Sequence, residues 1–598
     1  MKFNCIDKSF VITVTIAGLS LAILEAYVWR DLANLWDTDL ISYLDNGERF
    51  WNGDFNQFIN LYWSPLYGIL VALILKLSGS TFENELAIVR QTNMAIYGFL
   101  ILCFLSYLRT LKSFLKNRFS MEESQCQERY WGVCLVTLTA IFFYSTLTLG
   151  QTMYGTPDLL STCFAFIVST FALGLADKLE RKEKLPIKEG LALALAGLFA
   201  YLSKAPLFPY AIATLAGLLI AARKVKQARS VILISLGALF ILYSPYLILI
   251  SNKAGHFTFS DVFKVGQSWN IFAKQPITHG RSPSFLHPTR IFSKRPEAYE
   301  FDDNLAVTYS PWYAPCYWYE GVGILIDWQA YVGRVLVNIL RYLAFFLFGA
   351  GLFWLAGLKD RLALSSPSST AFLWLPAAAG LGFMLIGMDM SVNTDRYYSP
   401  YLVPLFTTFF ISLSKLPTGK SYKNLRTLSF LISSFCILRL AIFFHSYSLI
   451  FDTAVRPEGF RAVEIPAADL LKKMGLKPGD KIAQIGSCRY YFARLAKLKI
   501  IVDFTKPKEF WQLSEEEQSR ITARLKKLGV KALIQEPYLK EVPLSLREQD
   551  LPKPNDHRLT NWLTLVQDEK GWSLMPAYQP DKESWDFPST FMVLNLER

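Results

Sequence analysis

Twelve runs of mostly apolar residues punctuate the first 450 positions, and the first, Phe10 to Trp29, already has the length of a membrane-spanning helix. The others lie near 64–78, 88–106, 131–149, 156–176, 190–203, 205–221, 230–250, 333–357, 370–388, 400–414 and 427–447. Hydrocarbon offers no partner for backbone N–H and C=O groups, so segments of this kind are helices that satisfy their polar groups internally. Only 19% of the 598 residues are charged, below the quarter usual in soluble domains, and 15% are aromatic, which suits interfacial belts. A disordered chain, a fibre and a soluble enzyme are excluded. Several runs are short for a full crossing, so the expectation is a polytopic α-helical membrane protein with roughly 11 to 13 transmembrane helices.

The formal charge of +13 does not point to nucleic acid, because the basic residues sit in short loops between apolar runs, where they set orientation. Segment 177–189 holds five basic residues, and 223–229 and 415–426 hold four each, which places all three on the cytoplasmic side. Loop 30–63 carries six acidic residues against two Arg and faces outward. Segment 109–130 is also basic, so one of the runs between 64 and 106 must be re-entrant or split. With that adjustment, loop 30–63, turn 150–157, the turn at Lys204, loop 251–332, turn 389–399 and everything after 448 share the outer face. Lys2 and Lys8 precede the first run without a convincing small-residue cleavage site, so it reads as a retained helix.

Residues 455–598 change character. KIAQIG at 481–486, KIIVDF at 499–504, VKALIQ at 530–535 and FMVLNL at 591–596 read as strands, and SEEEQSRITARLKKLG as a helix, which predicts a C-terminal soluble α/β domain. Its IGSCRYYFARL segment could present a helix N-terminus to an anion. It lacks both common nucleotide-binding glycine patterns, so a structural or acceptor-docking role is the default. The eight Cys are scattered and form neither a disulfide framework nor a metal spacing.

The stretch WDTDLISYLDNGERFWNGDFNQFINLYWSPLYGIL, residues 36–70, carries the most chemistry. Asp37 and Asp39 follow the first helix, and a carboxylate held there can act as general base on a hydroxyl. The plainer reading makes Asp39 the cap of an interfacial helix. Asp158, after Pro157, caps a helix or joins the same site. Lys204, between two apolar runs, snorkels or meets a phosphodiester as a point charge. Arg396 pairs with Asp395 or offers its planar fork to phosphate oxygens. In the long outer loop, His279, Arg281 and His287 lie among aromatics, as a sugar or headgroup pocket needs. Two His eight residues apart are no metal signature.

The layout of a first helix, D-x-x-x-Y-L at Asp39–Leu44, Gly53, and a Pro-containing start of the next helix resembles the GT-C membrane glycosyltransferases. Protein O-mannosyltransferases and aminoarabinose transferases are among them. LSGSTFENELAIVRQTN at 77–93, YSTLTLGQTMYGTPDLL at 144–160, GLALALAGLFAYLSKAPLFP at 190–209 and DRYYSPYLVPLF at 395–406 resemble further family segments in the same order. The resemblance implies a polyprenyl-phosphate sugar donor and transfer with inversion to an acceptor hydroxyl on a glycan, lipid or protein. It implies Asp39 as base, with Asp37 the second choice, and Lys204 and Arg396 as the donor-phosphate site. Asp158, Tyr43, Tyr62, His279, Arg281, His287 and Tyr397 fall to the substrate cavity. Neither metal nor other cofactor is called for. The implied setting is a bacterial inner membrane, with the active site and C-terminal domain in the periplasm. A membrane transporter or lipid flippase is the alternative, although no internal repeat of the kind many transporters carry is visible.

Overall fold

A computed structural model describes residues 8–28, 38–81, 84–116, 124–150, 152, 154–260, 262, 289–301, 332–333, 335–337, 339–340, 370–387, 395–413, 420–453, 468–485, 491–504, 509–510, 512–535, 572–576 and 590–596. Helices α1 (Lys8–Val28), α2 (Thr38–Trp51), α3 (Pro65–Leu77), α4 (Glu85–Lys116) and α5 (Ser124–Phe143) come first, and α5 runs into a π-helical turn at Tyr144–Gly150. Next come α6 (Asp158–Glu180), α7 (Ile187–Ser203), α8 (Phe208–Ala221) and α9 (Lys226–Ala254). A hairpin of β1 (Thr289–Lys294) and β2 (Glu297–Phe301) precedes α10 (Ala371–Gly387), α11 (Ser399–Leu413) and α12 (Lys420–Thr453). The remainder is β3 (Lys481–Ile485), α13 (Tyr491–Leu495), β4 (Lys499–Phe504), α14 (Glu515–Lys527), β5 (Val530–Gln535), β6 (Trp572–Pro576) and β7 (Thr590–Asn595).

The chain is a mostly helical membrane protein with a small α/β unit. Among the described residues, five segments are long and apolar enough to cross a bilayer: 85–116, 128–149, 158–180, 226–254 and 423–445. Their outer faces confirm what solvent they need. Leu102, Ile241, Ile248, Phe430 and Ile437 are all exposed, a distribution that water would penalise and lipid does not. Inside, one apolar cluster runs through the bundle. Phe104 of α4 stacks on Phe142 of α5 with centroids 4.1 Å apart, and both rings meet Phe166 of α6.

Helix α2 lies across one end of this bundle. Gly68 of α3 faces the Tyr43 carbonyl so closely that a Cβ there would sit 2.6 Å from the oxygen. Gly47 of α2 sits against Gly68 in the same way, so two residues without side chains let the helix backbones touch. On its other flank, Ile41 of α2 joins the apolar cluster of the α/β unit, with Leu471, Tyr491 and Phe492.

The α/β unit is built on a seven-stranded sheet in the order β1-β2-β4-β3-β5-β7-β6. Its centre, β4-β3-β5, is parallel, with α13 and α14 in the crossovers, and both flanks are antiparallel. The central strands are buried on both faces and read as apolar runs, as parallel strands must. The four strands anticipated in the tail are present. The β1-β2 hairpin, from the segment between α9 and α10, completes one flank by pairing β2 with β4. At α14, Ser514 caps the helix reciprocally with Glu517.

Candidate active site

Four segments distant in sequence meet at the end of the bundle that α2 covers. Asp39 lies in the first turn of α2, where the helix dipole favours a carboxylate. Asp158 opens α6 directly after Pro157. Lys204 is an extended residue (φ −158°, ψ 126°) between α7 and the short 3₁₀ turn before α8. Arg396 and Tyr397 belong to the single 3₁₀ turn Asp395–Tyr398 that leads into α11.

Their side chains form an alternating line of charge. Arg396 Nη2 donates to Asp39 Oδ2 at 3.1 Å, and Arg396 Nε stands 3.9 Å from Asp158 Oδ2. The Lys204 ammonium is ion-paired with Asp158 Oδ1. Thr156 Oγ1 donates to Asp158 Oδ2 at 2.6 Å, so both oxygens of this buried acid are engaged. Lys204 Nζ also sits 3.9 Å from the centre of the Tyr397 ring, and the Arg396 guanidinium lies 5.3 Å from that ring and 6.0 Å from Tyr154. Two acids and two bases leave the line neutral overall.

The surrounding packing fixes this geometry. A Cβ on Gly155 would collide with Leu40 of α2, so turn 154–157 lies flush against that helix. Asn93 of α4 accepts from Tyr67 Oη at 2.9 Å and donates to the Tyr154 carbonyl at 2.8 Å, which holds the turn from below. Thr162 of α6 and Ser399 of α11 lie 3.3 Å apart. The Ala205 amide donates to Ser64 Oγ at 3.0 Å, which seats the Lys204 link on the start of α3.

Burial divides the two carboxylates. The Asp158 side chain is 2% exposed and that of Asp39 22%. Burial draws the Lys204 ammonium down to about 8, against the opposite pull of Asp158. Burial also opposes the Arg396 charge, but Tyr397, Asp158 and Asp39 outweigh it and hold the guanidinium above its ordinary value. Arg396 Nε has no hydrogen-bond partner among the described residues.

Of the sequence-predicted residues, Asp39, Asp158, Lys204, Arg396 and Tyr397 come together, and Tyr43 and Tyr62 lie within electrostatic reach of Asp39, Arg396 and Tyr397. Tyr43 is 5% exposed and packs edge-on against Trp63 and Tyr67, at 5.1 and 5.3 Å, within the α2–α3 contact. Tyr62 lines a shallow cleft beside the Lys204 link, together with Asn60, Ser64, Tyr201, Tyr246 and Phe259. Asp37, His279, Arg281 and His287 lie outside the described residues. Thr156 and Tyr154 went unnoticed in the sequence reading, although both belong to the quoted YGTPD segment that delivers Asp158.

No protein-family model matches the chain, and no curated protein is similar to it. Among solved structures, it is similar to ArnT from Cupriavidus metallidurans bound to undecaprenyl phosphate. That likeness has a TM-score of 0.49 and 12% identity, and covers 99% of this chain and 98% of the other. It is also similar to the oligosaccharyltransferase of Archaeoglobus fulgidus tethered to an acceptor peptide, at TM-score 0.40 and 13% identity over 89% and 69% of the two chains. The archaeal oligosaccharyltransferase AglB from Archaeoglobus fulgidus, with an inhibitory peptide and a dolichol-phosphate, gives 0.41 and 12% over 88% and 69%.

Proposed function

We propose that this protein is a membrane glycosyltransferase that moves a sugar from a polyprenyl phosphate to an acceptor hydroxyl with inversion. The observation that carries the reading is the line Asp39–Arg396–Asp158–Lys204, in which an accessible carboxylate and two cations converge. Residues 1–450 form the catalytic body, and 455–598 the outer domain. The site and that domain face the periplasm, a reading supported by the Lys and Arg that concentrate in loops 177–189, 223–229 and 415–426 on the opposite side.

The donor phosphate lies against Lys204 and Arg396, competing with Asp158 for the ammonium. Asp39 Oδ1 accepts the acceptor's proton as the hydroxyl oxygen bonds to the anomeric carbon. The bond from that carbon to the phosphate oxygen breaks, and its electron pair leaves with the phosphate. Arg396 touches both ends of the reaction. Its guanidinium holds Asp39 Oδ2 by a 3.1 Å hydrogen bond, which leaves Oδ1 to take the proton as bond formation acidifies the hydroxyl. Lys204 and Arg396 offset charge growing on the departing phosphate, the electrostatic contribution that dominates such chemistry. Asp158, with both oxygens occupied, is left to aim the two cations.

The test pairs binding with turnover. Native mass spectrometry should show saturable binding of undecaprenyl phosphate to wild type, weakened in Lys204→Ala. Asp39→Asn should bind the lipid normally and transfer no sugar. Absence of binding in folded protein, or full transfer by Asp39→Asn, would overturn the scheme.

A further inference from the structure

Arg494 is the largest fully buried side chain described, and it belongs to α13 of the α/β unit rather than to the four-charge line. Its guanidinium meets three carboxylates on two other helices. Nε and Nη2 donate to the Glu85 oxygens at 2.8 and 3.0 Å, Nη2 also reaches Glu48 Oε1 at 2.5 Å, and Nη1 is bonded to Asp45. Tyr491, one helical turn before Arg494, donates its hydroxyl to Glu85. Glu85 is the first residue of α4, whereas Asp45 and Glu48 belong to α2, so one cation ties the crossing helix to the bundle and to the sheet unit at once.

The clamp bears on Asp39 through a rigid element. Asp45 follows Asp39 by six residues on α2, roughly 9 Å along the axis at the rise of an α-helix. Opposite the clamp, Gly47 and Gly68 allow α2 no slack against α3. Removing the arginine leaves two buried acids, Asp45 and Glu85, beside the half-exposed Glu48, and Asp45 Oδ2 already has no hydrogen-bond partner among the described residues. Repulsion then acts on the one helix that carries Asp39.

We propose that Arg494 is a positioning residue: through Asp45, Glu48 and Glu85 it fixes α2 on the bundle and so sets where Asp39 stands relative to Arg396. The inference rests on the transferase reading for its kinetic consequence, but the clamp has its own structural readout. It gives the C-terminal unit a role in holding the catalytic helix.

The test uses the full chain in nanodiscs, comparing wild type with Arg494→Met, Arg494→Lys and Glu48→Gln. Lys531→Met, which breaks an ion pair to Asp480 inside the α/β unit, serves as control. Amide exchange across 38–51 should quicken at least tenfold in Arg494→Met and by less in Arg494→Lys and Glu48→Gln. Exchange across 158–180 and affinity for undecaprenyl phosphate should stay within twofold, while kcat for transfer falls on the order of 10²-fold, as about 1 Å of misplacement predicts. Should Arg494→Met fail to fold, the two milder variants carry the comparison. Unchanged exchange in 38–51, or equal losses of kcat, lipid affinity and protection in 158–180, would overturn the proposal. If wild type transfers no sugar from any donor, the transferase reading and the kinetic part of the inference fall, and exchange alone decides whether the clamp exists.

Discussion

Gly68→Ala perturbs the site from a distance that can be worked out. The new methyl would stand 2.6 Å from the Tyr43 carbonyl oxygen, a backbone atom that cannot swing aside, whereas ordinary contact begins at 3.4 Å. Helices α2 and α3 must therefore separate by about 0.8 Å. Because α2 carries Asp39 and the Arg396 turn belongs to another element, most of that displacement appears between base and substrate. A shift near 1 Å lowers a positioned reaction on the order of 10²-fold. Overpacking costs about 1–3 kcal/mol, and replacing a helical glycine by alanine returns about 1 kcal/mol, so the variant still folds. The assay measures sugar transfer at saturating donor together with lipid affinity and thermal unfolding. Gly98→Ala on α4, where a Cβ meets nothing within 4 Å, is the control and should transfer at the wild-type rate. A folded Gly68→Ala protein with full kcat would refute the reasoning, because α2 would then have room that the structure denies it.

Asp158→Asn leaves Lys204 and Arg396 without their buried counter-charge and should cost about 3–5 kcal/mol of stability. Undecaprenyl phosphate should then raise the variant's melting temperature more than the wild type's, and equal stabilisation would argue against a phosphate at these cations. Affinity for the lipid should fall above about pH 8, because Lys204 is charged below that value and neutral above it. A flat titration to pH 10 would remove Lys204 from the binding site. Tyr397→Phe loses the hydroxyl bonded to Arg396 but keeps the ring face under Lys204, and should bind the lipid nearly as well as wild type. Tyr397→Leu removes it and should bind about tenfold more weakly, within the range of a desolvated cation–π contact. Equal affinities would leave the ring without a part in binding.

Local pattern carried much of this fold. The apolar runs mark α1, α3 and α6 to α11 within about four residues, the α4 and α5 helices extend well beyond theirs, and alternating composition marks β3, β4, β5 and β7. The five charged and aromatic residues of the site were legible because each sits in a short segment where the chain breaks between helices. The contacts that aim them were not. Arg494 finds Asp45 across 449 residues, and nothing in YYFARL distinguishes an arginine that clamps from one that is solvated. Gly47 and Gly68 look like helix-weakening glycines until two backbones are seen to touch. The β1-β2 hairpin was missed for the same reason: TRIFSKRPEAYEF has little alternation, and its partner β4 lies some two hundred residues later. The edge-on contacts of Tyr43 with Trp63 and Tyr67 were equally invisible in its motif, because both partners lie some twenty residues further along.

The neutrality of the four-charge line governs how a ligand can arrive. A strongly cationic pocket would draw anions through water over many ångströms and would fill with whichever soluble phosphate was most abundant. Here each cation already faces an acid, so the empty site projects little field and gains little by capturing a free ion. Selectivity then shifts to the part of the ligand that never touches these residues. Under the proposed function, a long isoprenoid tail, concentrated in the same bilayer and diffusing in two dimensions, would supply the local abundance that overcomes internal competition, while water-borne phosphates would remain outside.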